Sequence, residues 1–258
     1  MQIEYLPLLH TLRELYALPR DRARFERYLA LMLGGTSDIA LPLAVANPMA
    51  KEHAAARLDE LLALGADEIG AEAAADAEAR LAHVAGSLKV ALVLVDDAQG
   101  GWTNRTLTDA AHRFGNEAEV KRGFATGYLW TGERQSADQI RQELQAAIYR
   151  FCFQRRHGWP KTLAEMLVQE GCAAAFAGIT PALGRDALAT ARAVIMPHRD
   201  STSYPVQIAC LYGDEAARSV GYPPLGVPAF GGFALSTDTA LRRRWDPLAE
   251  HAAPAWPG

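Results

Sequence analysis

Glu170 is the residue whose position most needs a chemical explanation. Leu163, Met166, Leu167, Ala173, Ala174 and Ala177 form one apolar stripe on a predicted helix. At about 100° per residue, Glu170 falls near the middle of that stripe. A carboxylate facing a core must be paired, protonated or metal-bound, because burying it alone costs several kcal/mol. A structural ion pair with an arginine and a site residue both meet that requirement. The preceding segment supplies partners. Glu143, Arg150 and His157 recur every seven residues, so they lie along one side of a helix, with Gln142 and Ala146 on the flank. A solvated face carrying an Arg–Glu pair would read the same way. On the site reading, Glu143 and Glu170 are the catalytic candidates and Arg150 and His157 bind a ligand.

A second group follows the clearest strand in the chain. KVALVLV, 89–95, is a continuous run of β-branched and leucine residues of the kind buried on both faces, and it ends in Asp96 and Asp97. Gly100 and Gly101 permit unusual backbone angles, and Trp102, Asn104 and Arg105 are capable recognition residues. Lys51, Glu52 and His53 open a predicted helix after the segment 39–46 and could face a site at a strand's end. Carboxylates beside histidine and arginine perform acid–base chemistry or hold a metal. A plain turn, with Trp102 packed on a helix and Asn104 or Thr106 as a cap, uses the same residues. No GxGxxG or GK[ST] phosphate fingerprint is present.

These groups must be positioned by regular elements. Strands are predicted at 39–46, 89–95 and 124–130, the first with Pro42 near its start or on an edge. Helical periodicity covers 8–33, broken at Pro19, with Leu12, Leu15, Tyr16, Phe25, Leu29 and Met32 inward. A further helical run extends to 85, divided at Gly65 and Gly70, and shorter helices are predicted at 107–114, 186–196 and 205–220. Ser136 and Gln139 form a capping-box pattern at the start of a helix carrying Ile140, Leu144, Ile148 and Phe151 inward. Pro160 falls in the first turn of the next helix, where a missing N–H costs nothing. The Pro/Gly-rich stretch 222–236 is expected to be irregular.

The order strand, helix, turn, helix ends in Thr162, Leu163, Glu170, Gly171 and Ala173, which stand as T-L-x-x-x-x-x-x-E-G-x-A. That segment resembles the gluzincin branch of the zincin metallopeptidases. The resemblance covers 136–176 and implies that Glu170 corresponds to the third zinc ligand and Glu143 to the general base. The HExxH motif is absent: its histidines would fall on Gln142 and Ala146, and neither replaces a zinc-binding imidazole. The resemblance therefore implies a zincin-like protein with a lost metal site, not an active peptidase. In it, strand 124–130 would be the edge of a residual cleft that takes a peptide or small ligand. No metal or other cofactor is expected.

The fold class expected is α+β, helix-rich, with a small mixed sheet and a zincin-like helix pair. Residues 1–36 are read as an N-terminal helical segment, 37–240 as the core domain and 241–258 as a partly disordered tail. A net charge of −4 gives no electrostatic case for nucleic acid or an anionic membrane as partner. No apolar stretch approaches membrane-span length, and the N-terminus lacks a basic segment followed by an apolar run. Cys152, Cys172 and Cys210 are too dispersed for a disulfide framework, so a soluble cytoplasmic protein is expected. Two other functions stay open. One is an active hydrolase-type enzyme using His53, Asp96, Asp97, Asn104 and Arg105. The other is a non-catalytic interaction protein whose amphipathic helices form a homodimer.

Overall fold

The computed structural model describes residues 1–99, 103–246, Leu248 and Trp256. In chain order these form β1 (Gln2–Leu6), α1 (Leu8–Ala17), α2 (Arg22–Leu33), α3 (Glu52–Ala63), α4 (Ala66–Arg80) and β2 (Ser87–Val95). Then come α5 (Arg105–Gly115), α6 (Glu117–Lys121), β3 (Phe124–Trp130), α7 (Ala137–His157) and α8 (Leu163–Phe176). The remaining helices are α9 (Arg185–Ile195), α10 (Tyr204–Tyr212), α11 (Asp214–Ser219) and α12 (Gly231–Arg243). The fold is α+β, as expected. It divides into two compact units, one of residues 1–104 and 117–148, the other of 105–116 and 149–258. Residues 1–36 belong to the first unit.

The first unit is built on a three-stranded sheet of order β1-β2-β3, and both pairings are parallel rather than mixed. β2 is central, and its run from Val90 to Val95 is buried throughout, as its unbroken apolar sequence requires. Helices α1 and α4 pack on the sheet. Gly70 lies inside α4 instead of dividing it, because a Cβ there would come within 2.5 Å of the Tyr5 hydroxyl oxygen. Tyr5 in turn donates to Asp67 at 2.7 Å, tying β1 to α4.

The segment 39–46 is not a strand. The Ala40 and Leu41 amides both donate to Met32 O, and Leu43 and Ala46 close short turns on Leu41 and Leu43. The third strand is Gln2–Leu6, paired in register with 87–91. On α2 the inward residues are Arg24 and Tyr28, while Phe25 is exposed. Arg24 reaches the carbonyl oxygens of Tyr16 and Leu18 at the end of α1 and of Ala50, which no apolar side chain could satisfy.

The second unit is helical. Thr162 caps α8 in a full capping box with Glu165, so Pro160 precedes the helix instead of sitting in its first turn. The Ser136–Gln139 box at the start of α7 forms as expected. The helix expected over 205–220 is two, α10 and α11, broken at Gly213 with φ of 91°. The stretch expected to be irregular contains the start of α12. Its paired glycines conceal a helix because they serve close packing: a Cβ on Gly232 would lie 2.6 Å from Cys210 O. No helix among the described residues is long and apolar enough to cross a membrane.

Helices α8 and α12 meet at Gly171, where a Cβ would stand 2.5 Å from Ser236 O, a backbone atom that cannot step aside cheaply. Gly171→Ala is expected to destabilise the protein by about 1–3 kcal/mol despite alanine's better helix propensity. Urea unfolding of the two proteins measures this; equal midpoints would show that the helices separate freely.

Candidate functional site

Glu170 faces inward, as its place in the apolar stripe requires. It is 3% exposed, and Arg150 Nε reaches its two oxygens at 3.1 and 3.2 Å. Arg113 Nη1 lies 2.6 Å from Oε2, and Gln169 Nε2 donates to Oε1 at 3.0 Å. Arg113 was not foreseen, because it stands on α5, 57 residues earlier in the chain. It also binds Asp109 at 2.7 Å, and Asp109 accepts from the Tyr212 hydroxyl at 2.7 Å. Burial works against the Asp109 charge, but Arg113 and the Tyr212 hydroxyl hold its carboxyl below the usual carboxylate range. Burial and the neighbouring Asp109 push the Tyr212 phenol well above its ordinary value. Two carboxylates and two guanidiniums thus neutralise one another inside a helical core. This is a buried ion-pair network.

The other helix-borne candidates do not join it. Glu143 belongs to the first unit, where it accepts the Tyr128 amide on β3 at 3.4 Å. His157, in the second unit, lies against Phe153 with ring centroids 4.8 Å apart. Asn104 and Arg105 are exposed, the first ending a segment of the first unit and the second opening α5 of the other. Trp102 lies outside the described residues.

The strand-end group, in contrast, assembles within the first unit. Asp96, at the carboxyl end of β2, is 2% exposed. Its Oδ1 lies 2.7 Å from His53 Nε2 and its Oδ2 accepts from Asn47 Nδ2 at 2.8 Å. Thr131, just past β3, approaches Asp96 Oδ1 and Asp97 Oδ1, each at 3.1 Å, while its hydroxyl oxygen accepts the Asp97 and Ala98 amides. Asp97 Oδ1 also accepts the Gly132 amide at 2.8 Å. Asn47 is held from behind, its carbonyl oxygen accepting the Tyr16 hydroxyl at 2.8 Å. Gln99, closing this group, adopts a left-handed backbone with φ of 50°, and its carbonyl oxygen accepts from Lys51 Nζ at 3.1 Å.

Parallel sheets present their loops to ligands at the carboxyl ends of the strands, and that is where these residues converge. A carboxylate can only accept, so Nε2 of His53 carries the proton directed at Asp96. In the neutral ring Nδ1 of His53 is then the acceptor; it is buried and has no hydrogen-bond partner among the described residues. A buried acceptor left unmet costs roughly 1–3 kcal/mol and calls for an explanation. Among the described residues no group of three or more histidine, cysteine or acidic side chains is placed to hold a metal ion. Asn47 and Thr131 went unnoticed in the sequence because each is an ordinary loop residue, and only the sheet brings them to Asp96.

Glu119 is a second oversight. Its carboxyl meets Thr126 Oγ1 at 3.3 Å, and burial pushes it up to about 7. In the unfolded chain it titrates near the ordinary carboxylate value, so the folded form holds its proton more tightly. The resulting stabilisation is complete below that ordinary value and is lost as pH rises through about 7. Glu119→Gln should therefore raise the melting temperature at pH 8 and change it little at pH 4; an equal shift at both would show that the carboxyl titrates normally.

Glu170→Gln leaves the buried Arg150 and the half-buried Arg113 short of a charge and should cost about 3–5 kcal/mol in urea unfolding. Glu26→Gln, which breaks the exposed Arg22–Glu26 pair, should cost about 0.5 kcal/mol or less. Similar losses at the two sites would mean that the Glu170 network contributes no more than a surface pair. No protein-family model, curated protein or solved structure matches the chain, so nothing beyond the residues of 136–176 bears on their resemblance to gluzincins.

Proposed function

We propose that the protein is a hydrolase-type enzyme whose reactive pair is His53 and Asp96. The observation that carries this reading is the buried, unpartnered Nδ1 of His53, set by a 2.7 Å contact between Nε2 and Asp96 at the carboxyl end of β2. Asp96 fixes the tautomer and steadies the imidazole, as a carboxylate does behind a catalytic histidine. Asn47 and Thr131 hold Asp96 so that it cannot turn away. Nδ1 takes a proton from water, the water oxygen attacks an ester or amide carbonyl, and the proton passes to the leaving group. Thr131 is a clamp and not a nucleophile, since its oxygen already accepts two amides and its single proton is directed at the Asp96 and Asp97 carboxylates. The substrate class is a small ester or amide.

A screen of p-nitrophenyl esters and aminoacyl p-nitroanilides, with and without chelator, should reveal turnover. His53→Gln and Asp96→Asn should each lower kcat by about 10²–10⁴-fold while both variants stay folded. Absence of turnover, or activity indifferent to both changes, sinks the assignment.

One observation favours a second reading, a zincin-like protein whose metal site has been converted to bind a peptide or small ligand. Glu170, in the zinc-ligand position of the resemblance, meets guanidinium from Arg150, one turn beyond Ala146 on α7. A fixed positive side chain there would stand in for a metal's charge. Stoichiometric zinc retained through dialysis and measured by elemental analysis would remove this reading. We place the protein in the cytoplasm, where its three buried thiols stay reduced; burial pushes Cys152 and Cys210 up to about 12, which makes them poor nucleophiles.

A further inference from the structure

The second unit contains a cavity of about 870 Å³ at the turn between α7 and α8. That volume is within the range of small-molecule sites. All of its described lining residues belong to the second unit, and none is His53 or Asp96. Three features of its wall are chemically specific. The first is aromatic: Phe153, His157, Trp159 and Trp256 all line it. The second is an unmet donor. The indole N–H of Trp159 is buried and has no acceptor among the described residues. A buried donor in that state is stabilised by any ligand that brings an oxygen to it.

The third feature is an accessible lysine ammonium outside any salt bridge among the described residues. Lys161 and Arg199 are both exposed on the wall. The acidic residues beside them are engaged. Glu165 accepts the amides of Lys161 at 2.6 Å and Thr162 at 3.0 Å, which hold its carboxyl below the usual range. Asp200 lies 3.5 Å from Arg199. Among the described residues no carboxylate lies within salt-bridge distance of Lys161 Nζ, and Glu165 feels its charge only from farther away. Aromatic faces accept a flat ring, the indole N–H wants an acceptor, and the lysine wants an anion. A single ligand class meets all three.

From this geometry we infer that the cavity between α7 and α8 binds a small planar aromatic molecule bearing a carboxylate or phosphate, with the ring among Phe153, His157 and Trp159 and the anion at Lys161 and Trp159 Nε1.

Ligand-observed NMR titration of the full chain with phenylacetate, phenyl phosphate and phenethylamine tests it. At least one of the two anions should bind with a sub-millimolar dissociation constant, and the amine should bind at least about tenfold more weakly. Trp159→Phe keeps the ring and removes the N–H, and should weaken the better anion about fivefold. Lys161→Glu, at an exposed position that leaves folding untouched, should weaken it tenfold or more and reduce the discrimination against phenethylamine. Binding of neither anion, equal binding of anion and amine, or anion binding unmoved by Lys161→Glu would overturn the assignment. Should Trp159→Phe fail to fold, the Lys161→Glu comparison decides alone.

Discussion

Burying a carboxylate obliges a protein to surround it with donors, and the two units meet that obligation in opposite ways. Glu170 is met by two guanidiniums and an amide. The donors around it are guanidinium and amide N–H groups, and the network extends through Arg113 to Asp109 and Tyr212. Asp96 is met by an amide, a hydroxyl and an imidazole. An imidazole is the one donor of this kind that carries a second functional nitrogen. The first solution uses permanently charged guanidiniums, which cannot act as bases, and the second includes an imidazole, which can. That difference, more than the number of charged residues in either place, separates a core ion pair from a candidate reactive centre.

The sheet makes the second solution available. β2 runs buried from Val90 to Val95 and delivers Asp96 at its end with no freedom in position. β3, paired in parallel with it, brings Thr131 to the same level, because Val95 stands opposite Trp130. The first turn of α3 supplies His53, and the turns from 39 to 47 supply Asn47. Four separate pieces of chain thus meet over two strand ends. The geometry depends on parallel pairing, since an antiparallel neighbour would have sent its end to the other side of the sheet.

Much of this was legible in the residues. The inward turn of Glu170 followed from helical phase alone, and the strands 89–95 and 124–130 followed from apolar runs of the right length. Arg150 as a partner was legible because it is on the neighbouring helix. Arg113 was not, since no local pattern links α5 to α8. IALPLAVA reads as a strand by composition, but Pro42 and the hydrogen bonds back to Met32 turn it into successive bends. QIEYL, with only three apolar residues in five, gains its strand from pairing with β2, a tertiary effect that propensity does not see. The start of α12 was hidden by Gly231 and Gly232, which look like chain breakers; Gly231 packs closely on Val227 and Pro228, and Gly232 on α10. At the strand end the acidic pair and His53 could be named from sequence, while Asn47 and Thr131, which fix them, could not.

Thr131 Oγ1 lies 3.1 Å from Asp96 Oδ1 and 3.1 Å from Asp97 Oδ1, yet a hydroxyl has a single proton. At any instant one carboxylate holds it and the other does without. The two arrangements differ only by rotation of a hydrogen about the Cβ–Oγ1 bond, with every heavy atom in place. One hydroxyl proton at the tip of β3 is therefore divided between two carboxylates at the tip of β2, and the Asp96–His53 contact is coupled to Asp97 with the backbone fixed.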